Sequence, residues 1–292
     1  MSMRRRTMLV AGVLAVLATA ACGSDEPGGK AGRDLLDRLS PVGTPTATVV
    51  DLARVRKELG LPADFGGATG SREAAQQRFD SIVAMAYPIW STPLKSAVRD
   101  AVDLGRVSAV ANNGVGRQAV TVLATGQKLG EITAALKAGG YTEDNGVWRA
   151  PAGNRVTAAA AVGGGDGFLV TGADAATVRS TARGEGTGFK GRVRELIDQL
   201  DAPAAAAVDY PSGCVDAAAV ADDIAGQKGR IMLIVPGAST DRVRTGEIQS
   251  FTVDTSKVEG DKVTVTLTHA RAEITPLQFV GGERSVTEVY GC

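Results

Sequence analysis

The feature that most constrains this chain is a run of 14 uncharged residues, 8–21, set between three arginines (Arg4, Arg5 and Arg6) and Cys22. A helix rises ~1.5 Å per residue, so such a run spans about 21 Å, short of the ~30 Å hydrocarbon core of a bilayer. A basic head, a short centre rich in Ala, Val and Leu, and small residues at its end read as a secretory signal peptide, not as a stable transmembrane helix. Residues 1–21 are then an address, and the folded body is built from the rest of the chain.

That body has the apolar content to fold. Of 292 residues, 44% are apolar and 22% charged, a globular balance that is neither disordered nor collagenous. The length suits one large domain or two smaller ones. Basic and acidic residues number 32 each; without the three leader arginines the count is 29 against 32, a net of −3. A nucleic-acid binder needs a basic field to neutralise phosphates, so that class is disfavoured. One His and three Cys leave too few soft ligands for a four-ligand structural zinc site, and no metal or other cofactor is expected.

The run ends Leu17-Ala18-Thr19-Ala20-Ala21-Cys22-Gly23. Small residues before a Cys, with Gly after it, resemble the lipobox of bacterial lipoproteins. Thr19 departs from the pattern, which usually has Leu, Val or Ile at that place. The resemblance implies cleavage between Ala21 and Cys22 and a diacylglyceryl group on the Cys22 thiol, with a further acyl chain on the new amino terminus. Two or more chains anchor a protein stably where one is marginal. The alternative is ordinary secretion with a free thiol, a liability in an oxidising compartment. The Ala-, Gly- and Val-rich composition resembles that of actinobacterial lipoproteins; the likeness to a family stops at the leader. Residues 5–9 also fit a loose twin-arginine export pattern, which leaves the export route open. The expected location is extracytoplasmic, on the membrane face.

Residues 22–32 hold Cys22 and then GSDEPGGKAG, a polar tether with an r.m.s. reach of roughly 17 Å and a limit near 35 Å. Beyond it two segments match. Leu35-Leu36-Asp37-Arg38-Leu39 recurs as Leu196-Ile197-Asp198-Gln199-Leu200, and Pro45, Ala47, Val50 and Asp51 recur as Pro203, Ala205, Val208 and Asp209. Each reads as a helix end, a Pro-marked turn and a buried strand. Residues 105–110 and 229–234 give a third likeness. We therefore expect an internal duplication into two related α+β units, 33–190 and a more β-rich 191–292, with antiparallel sheets covered by helices. Such units would pack face to face, with a ligand groove in the seam.

The local patterns fill in the units. In the first, a strand is expected over 46–51 and a helix over 52–59. A Ser71-capped helix reaches Tyr87, and another opens at Thr92 and Pro93. A hairpin covers 107–111 and 118–124, and a helix covers 130–138. An Asn145-Gly146 turn comes next, then a hairpin over 156–162 and 167–171, and last a helix capped by Asp174. In the second unit, 230–235, 248–254, 262–269 and 287–290 read as strands. Cys214 and Cys292, both exported, are expected to pair and close 79 residues, for roughly 4.5 kcal/mol in the chain-entropy model.

Catalytic candidates are few. His269 shares strand parity with Val263, Val265 and Leu267 and so faces inward. Any Ser-His-acid triad would use it, with Ser239 as nucleophile, but Gly-x-Ser-x-Gly is missing. The glycines at 163–167 lack the Lys-Ser/Thr of a phosphate loop and read as a hairpin turn. Asp222, Asp223, Asp254, Glu259 and Asp261 offer carboxylates without calcium-loop spacing and read as solvated charge. Tyr87 with Trp90, and Tyr141 with Trp148, read as core packing. The leading expectation is a non-enzymatic, membrane-anchored envelope lipoprotein with a binding surface or groove for an unknown partner. The alternatives are a carrier of a lipid or other apolar ligand and, more remotely, a Ser/His hydrolase.

Overall fold

The computed structural model describes residues 34–39, 46–67, 73–91, 96–114, 119–186, 188–189, 192–200, 203–209, 213–248, 250–271, 273–280 and 286–291. Within these the protein is α+β, built on one antiparallel sheet of 13 strands in the order β11-β12-β13-β10-β9-β8-β1-β2-β3-β7-β6-β5-β4.

The first seven strands are β1 (Ala47–Asp51), β2 (Val107–Asn113), β3 (Val120–Thr125), β4 (Thr142–Asp144), β5 (Val147–Arg149), β6 (Ala161–Gly165) and β7 (Phe168–Gly172). The rest are β8 (Ala205–Asp209), β9 (Ala217–Asp223), β10 (Lys228–Ile234), β11 (Gly246–Ile248), β12 (Phe251–Glu259) and β13 (Lys262–His269). The helices α1 (Leu52–Glu58), α2 (Ala74–Ala86), α3 (Pro88–Ser91), α4 (Ala97–Ala101) and α5 (Leu129–Ala138) supply the first face of the sheet. The second face takes α6 (Ala175–Ala182), α7 (Arg192–Gln199) and the segment around Leu35, Leu36 and Leu39. A last helix, α8 (Thr287–Tyr290), returns to the first face.

Strand alternation sorts the core into two layers. Val50, Val110, Leu123, Ala207, Val220 and Leu233 pack on the first face; Val49, Ala111, Val122, Ala206, Ala219 and Met232 pack on the second. At the centre both faces are covered, and β8 and β9 are accordingly runs of alanine with Val208 and Val220. The small side chains let α7 seat closely on them.

Several local expectations hold: β1, α1, the β2–β3 hairpin and α5. Asn145 and Gly146 both have positive φ, the conformation a two-residue hairpin turn requires. The Asp174 carboxylate accepts from the Thr177 backbone amide and caps α6. The glycines at 163–165 form part of strand β6, and Asp166-Gly167 turns it into β7. A Cβ on Gly163 would stand 3.1 Å from Val178 on α6, so the missing side chain sets how close that helix sits.

Other expectations are corrected. The halves do not pack face to face: they join edge to edge through the β1–β8 ladder. The third likeness falls on strands with different places, since 105–110 enters β2, the second strand of its meander, and 229–234 lies in β10, the third. Residues 156–160 are not strand but surround a 3-10 turn, Thr157–Ala159, and the Ala159 carbonyl accepts a hydrogen bond from a buried tyrosine. Thr287–Tyr290 is helical, because Val289 and Tyr290 are both fully buried on adjacent positions and Gly291 stops the turn in the left-handed conformation. The helix expected from Ser71 begins at Ala74, with Glu73 at the cap. Ser71, Thr92 and Pro93 lie outside the described residues.

Candidate functional site

On the first face, beside the N-terminal end of β1, the packing leaves a cavity of about 390 Å³. Ala84, Met85 and Pro88, from α2 and α3, form one wall. Val156 and Ala158, at the 3-10 turn, form the opposite wall, and Arg155 stands exposed at the mouth. The floor is polar. Thr48 pairs with Asn112, Asn112 with Thr121, and Thr121 with Thr171, across β1, β2, β3 and β7. With strands ~4.8 Å apart this makes a row of hydroxyl and amide groups about 14 Å long.

The row is buried at Asn112, Thr121 and Thr171, and Asn112 Nδ2 donates to Thr121 Oγ1 at 3.1 Å. Thr171 Oγ1 and the Tyr87 hydroxyl are buried with no hydrogen-bond partner. Orphaned polar atoms are uncommon in protein interiors and call for a water or a ligand group. Tyr141 completes the surroundings by donating to the Ala159 carbonyl at 2.6 Å. Burial pushes its phenol up to about 12 and that of Tyr87 higher still. Both tyrosines are neutral at physiological pH and belong to the core, with Trp90 and Trp148 packed half-buried against it. The floor has hydrogen-bonding capacity but no group that exchanges a proton near neutrality.

A second polar centre lies on the same face at the opposite end of the strands. Arg78 of α2 pairs with Asp222 of β9 at 2.5 Å, and Thr275 donates to the other carboxylate oxygen at 2.7 Å. Desolvation drives the Asp222 pKa up to about 6, against the attraction of Arg78. Asp222 is thus no solvated charge, as the sequence led us to expect, but one half of a buried ion pair. The other carboxylates fit the expectation better. Asp254 accepts from Thr268, Glu259 pairs with Lys257 at 2.6 Å, and Asp261 accepts from the Gly237 amide. No cluster of three or more metal-ligating side chains occurs among the described residues.

His269 is buried, as its strand parity predicts. Its Nδ1 lies 2.9 Å from the Arg271 carbonyl oxygen and therefore carries the proton. Burial lowers its pKa, so the ring is neutral at pH 7. The structure separates it from Ser239. Gly237 is tied to Asp261 at one end of β13, and His269 stands at the other end. Eight residues of strand span roughly 26 Å, which the two residues from Gly237 to Ser239 do not bridge. The Ser239 hydroxyl instead accepts from the Asp241 amide in a local turn.

Cys214 is disulfide-bonded. Its partner lies outside the described residues, as do Ala21, Cys22 and Cys292. The cavity floor and the Arg78–Asp222 pair were not foreseen. Asn112 was the available signal, a polar residue on the parity of Val110, following the apolar stretch 109–111.

No family model matches this chain, and no curated protein matches it. Solved structures do. The chain is similar to crystal form I of TP0453, with a TM-score of 0.50 and 10% identity over 84% of this chain and 95% of that one. Crystal form IV of the same protein matches with a TM-score of 0.47, again at 10% identity, over 85% of this chain and 98% of that one. At such identity the likeness concerns the fold alone.

Proposed function

We propose that this chain is a lipid-anchored lipoprotein of the cell envelope, and that its folded body binds a partner or ligand in the groove over Thr48 and Asn112 without transforming it. The anchoring rests on the sequence from Leu17 to Gly23 and the tether after it. The binding reading rests on one structural observation: a cavity with apolar walls and a polar floor at Thr48 and Asn112. Ligand sites are commonly built this way, the walls supplying affinity and a few polar groups supplying orientation. The walls of Met85, Pro88, Val156 and Val280 also favour a second reading of the same cavity, as carrier of an apolar ligand.

Two measurements test this. Radiolabelled palmitate should enter the wild-type chain and be lost in Cys22→Ala; an unlabelled wild type removes the anchor. Native mass spectrometry of the chain extracted from membranes distinguishes the two binding readings. A copurifying small apolar molecule, displaced by Ala158→Trp, selects the carrier. A clean mass with a protein crosslinked at the groove selects the partner.

We infer further that Cys214 pairs with Cys292 and that units 33–190 and 191–292 arose by duplication. Strand order supports the latter. Each half opens with a three-strand meander, and the third strand takes as outer neighbour the last strand of its own half, β7 or β13. The central ladder adds to this. Ala47 faces Val208 and Val50 faces Ala205, and a shift of 158 positions turns each pair into the other, as a two-fold axis would. Superposing β1–β3 and β7 on β8–β10 and β13 should place Ala47 on Ala205. A fit that demands a one-residue slip would count against common descent, since it exchanges the two faces.

A further inference from the structure

Among the described residues two arginines are fully buried, and both have their charge accounted for. Arg56 donates to the carbonyls of Phe65, Leu104 and Val107, and Arg78 is paired with Asp222. Arg230 differs. It is half-buried on β10, and among the described residues it meets no carboxylate and donates no hydrogen bond. It lines a cleft of about 370 Å³ beneath the end of α7 on the second face, far from the groove above.

The neighbours of Arg230 do not neutralise it. Directly across on β13 is Thr266, and across on β9 is Ala221. Asp223 stands opposite Lys228, two residues from Arg230, so those charges offset each other. Arg54, also on the cleft, is engaged by Glu58. Asp222 points to the other face and is held by Arg78 and Thr275. Among the described residues one guanidinium of the cleft is left over, in a concave site where partial burial makes an unmatched charge costly.

We propose that this cleft binds a phosphate-type oxyanion, read by Arg230. The planar guanidinium offers two parallel donors to one oxyanion edge. The Thr266 hydroxyl adds a third donor from the facing strand. Leu200, Pro203 and Ala204 make the far wall apolar, which suits a phosphate ester with a hydrocarbon part as well as the free ion. This site is independent of the groove reading.

The test titrates the full chain in detergent with inorganic phosphate at constant ionic strength, following Tm, and repeats it with dihexanoyl phosphatidic acid. The expected result is a saturable rise in Tm that Arg230→Gln weakens about tenfold or more. Without ligand, Arg230→Gln should melt no lower than wild type, because it removes an unmatched charge. Thr266→Val should weaken binding several-fold and provides the check should Arg230→Gln fold poorly. Tighter binding of the phosphatidic acid assigns the site to a lipid headgroup, and equal binding to the free ion. The proposal is overturned if neither probe saturates, if Arg230→Gln binds as wild type does, or if that variant melts several degrees lower without ligand.

Discussion

The centre of the sheet and its β12–β13 end are made of the same antiparallel ladder, yet they are written in different alphabets. In β8 and β9 nearly every residue is buried, and most are alanine. In β13 burial alternates strictly: Val263, Val265 and Leu267 are buried, and Lys262, Thr264 and Thr266 are half-exposed. The difference lies in what covers the second face. α7 packs on β8 and β9, and α6 packs on β5, β6 and β7. Among the described residues α7 meets the corresponding face of β13 by a hydrogen bond at the strand's first residue, where Lys262 donates to Gln199 at 3.3 Å, and no helix packs over Thr264. A strand pressed between two layers loses its polar parity and gains small residues; a strand with one wet face keeps its alternation and prefers β-branched threonine there.

The contrast can be broken most severely at the ion pair that joins α2 to β9. Arg78→Ala leaves the Asp222 carboxylate buried without its partner and should cost about 3–5 kcal/mol in denaturant unfolding. The double change Arg78→Met, Asp222→Leu should recover most of it; failure to recover would mean the pair also fixes the register of α2 on the sheet.

The same pair sets a pH dependence. The Asp222 pKa is raised from 3.8 to about 6 in the folded state, so between those values the native state keeps a proton that the unfolded chain has released. Its contribution is full below about pH 3.8 and is lost as pH rises through about 6. Asp222→Asn should flatten that part of the stability profile, by on the order of 2–3 kcal/mol. His269, nearby, acts oppositely: its lowered pKa contributes stability above 6.5 that fades as pH falls through the folded value. An unchanged slope in Asp222→Asn would assign the profile to other groups.

Smaller changes compare the two regions directly. Ala219→Leu, beneath α7, should overpack the centre and cost about 1–3 kcal/mol. Thr264→Val, on the wet face of β13, should stay within about 0.5 kcal/mol by the same melting measurement. If the two cost the same, the second face of β13 is covered in solution.

The same contrast explains what could be read in advance. Strand β13 was legible from its alternation, and the β2–β3 hairpin and α5 from theirs. β9 was missed because Ala217–Asp223 carries no period at all: two-sided burial erases it. The strand expected over 287–290 failed because four apolar-rich residues hold no decisive period, and tertiary packing chose the helix. Of the groove, Asn112 alone broke a pattern. Thr48, Thr121 and Thr171 are ordinary strand residues whose alignment depends on register between strands far apart in sequence. Arg78 and Asp222 lie 144 positions apart, and nothing local in either stretch names the other.

The ladder between β1 and β8 also governs the order in which this molecule can be completed. Ala47 must wait for Val208, so more than half of the chain emerges before the middle of the sheet can close. Until then one side of β1 offers unpaired amides and carbonyls to any passing strand. Non-local pairings of this kind slow folding and prolong exposure to wrong partners. On the export route proposed above, the chain would cross the membrane amino terminus first and meet that hazard in full.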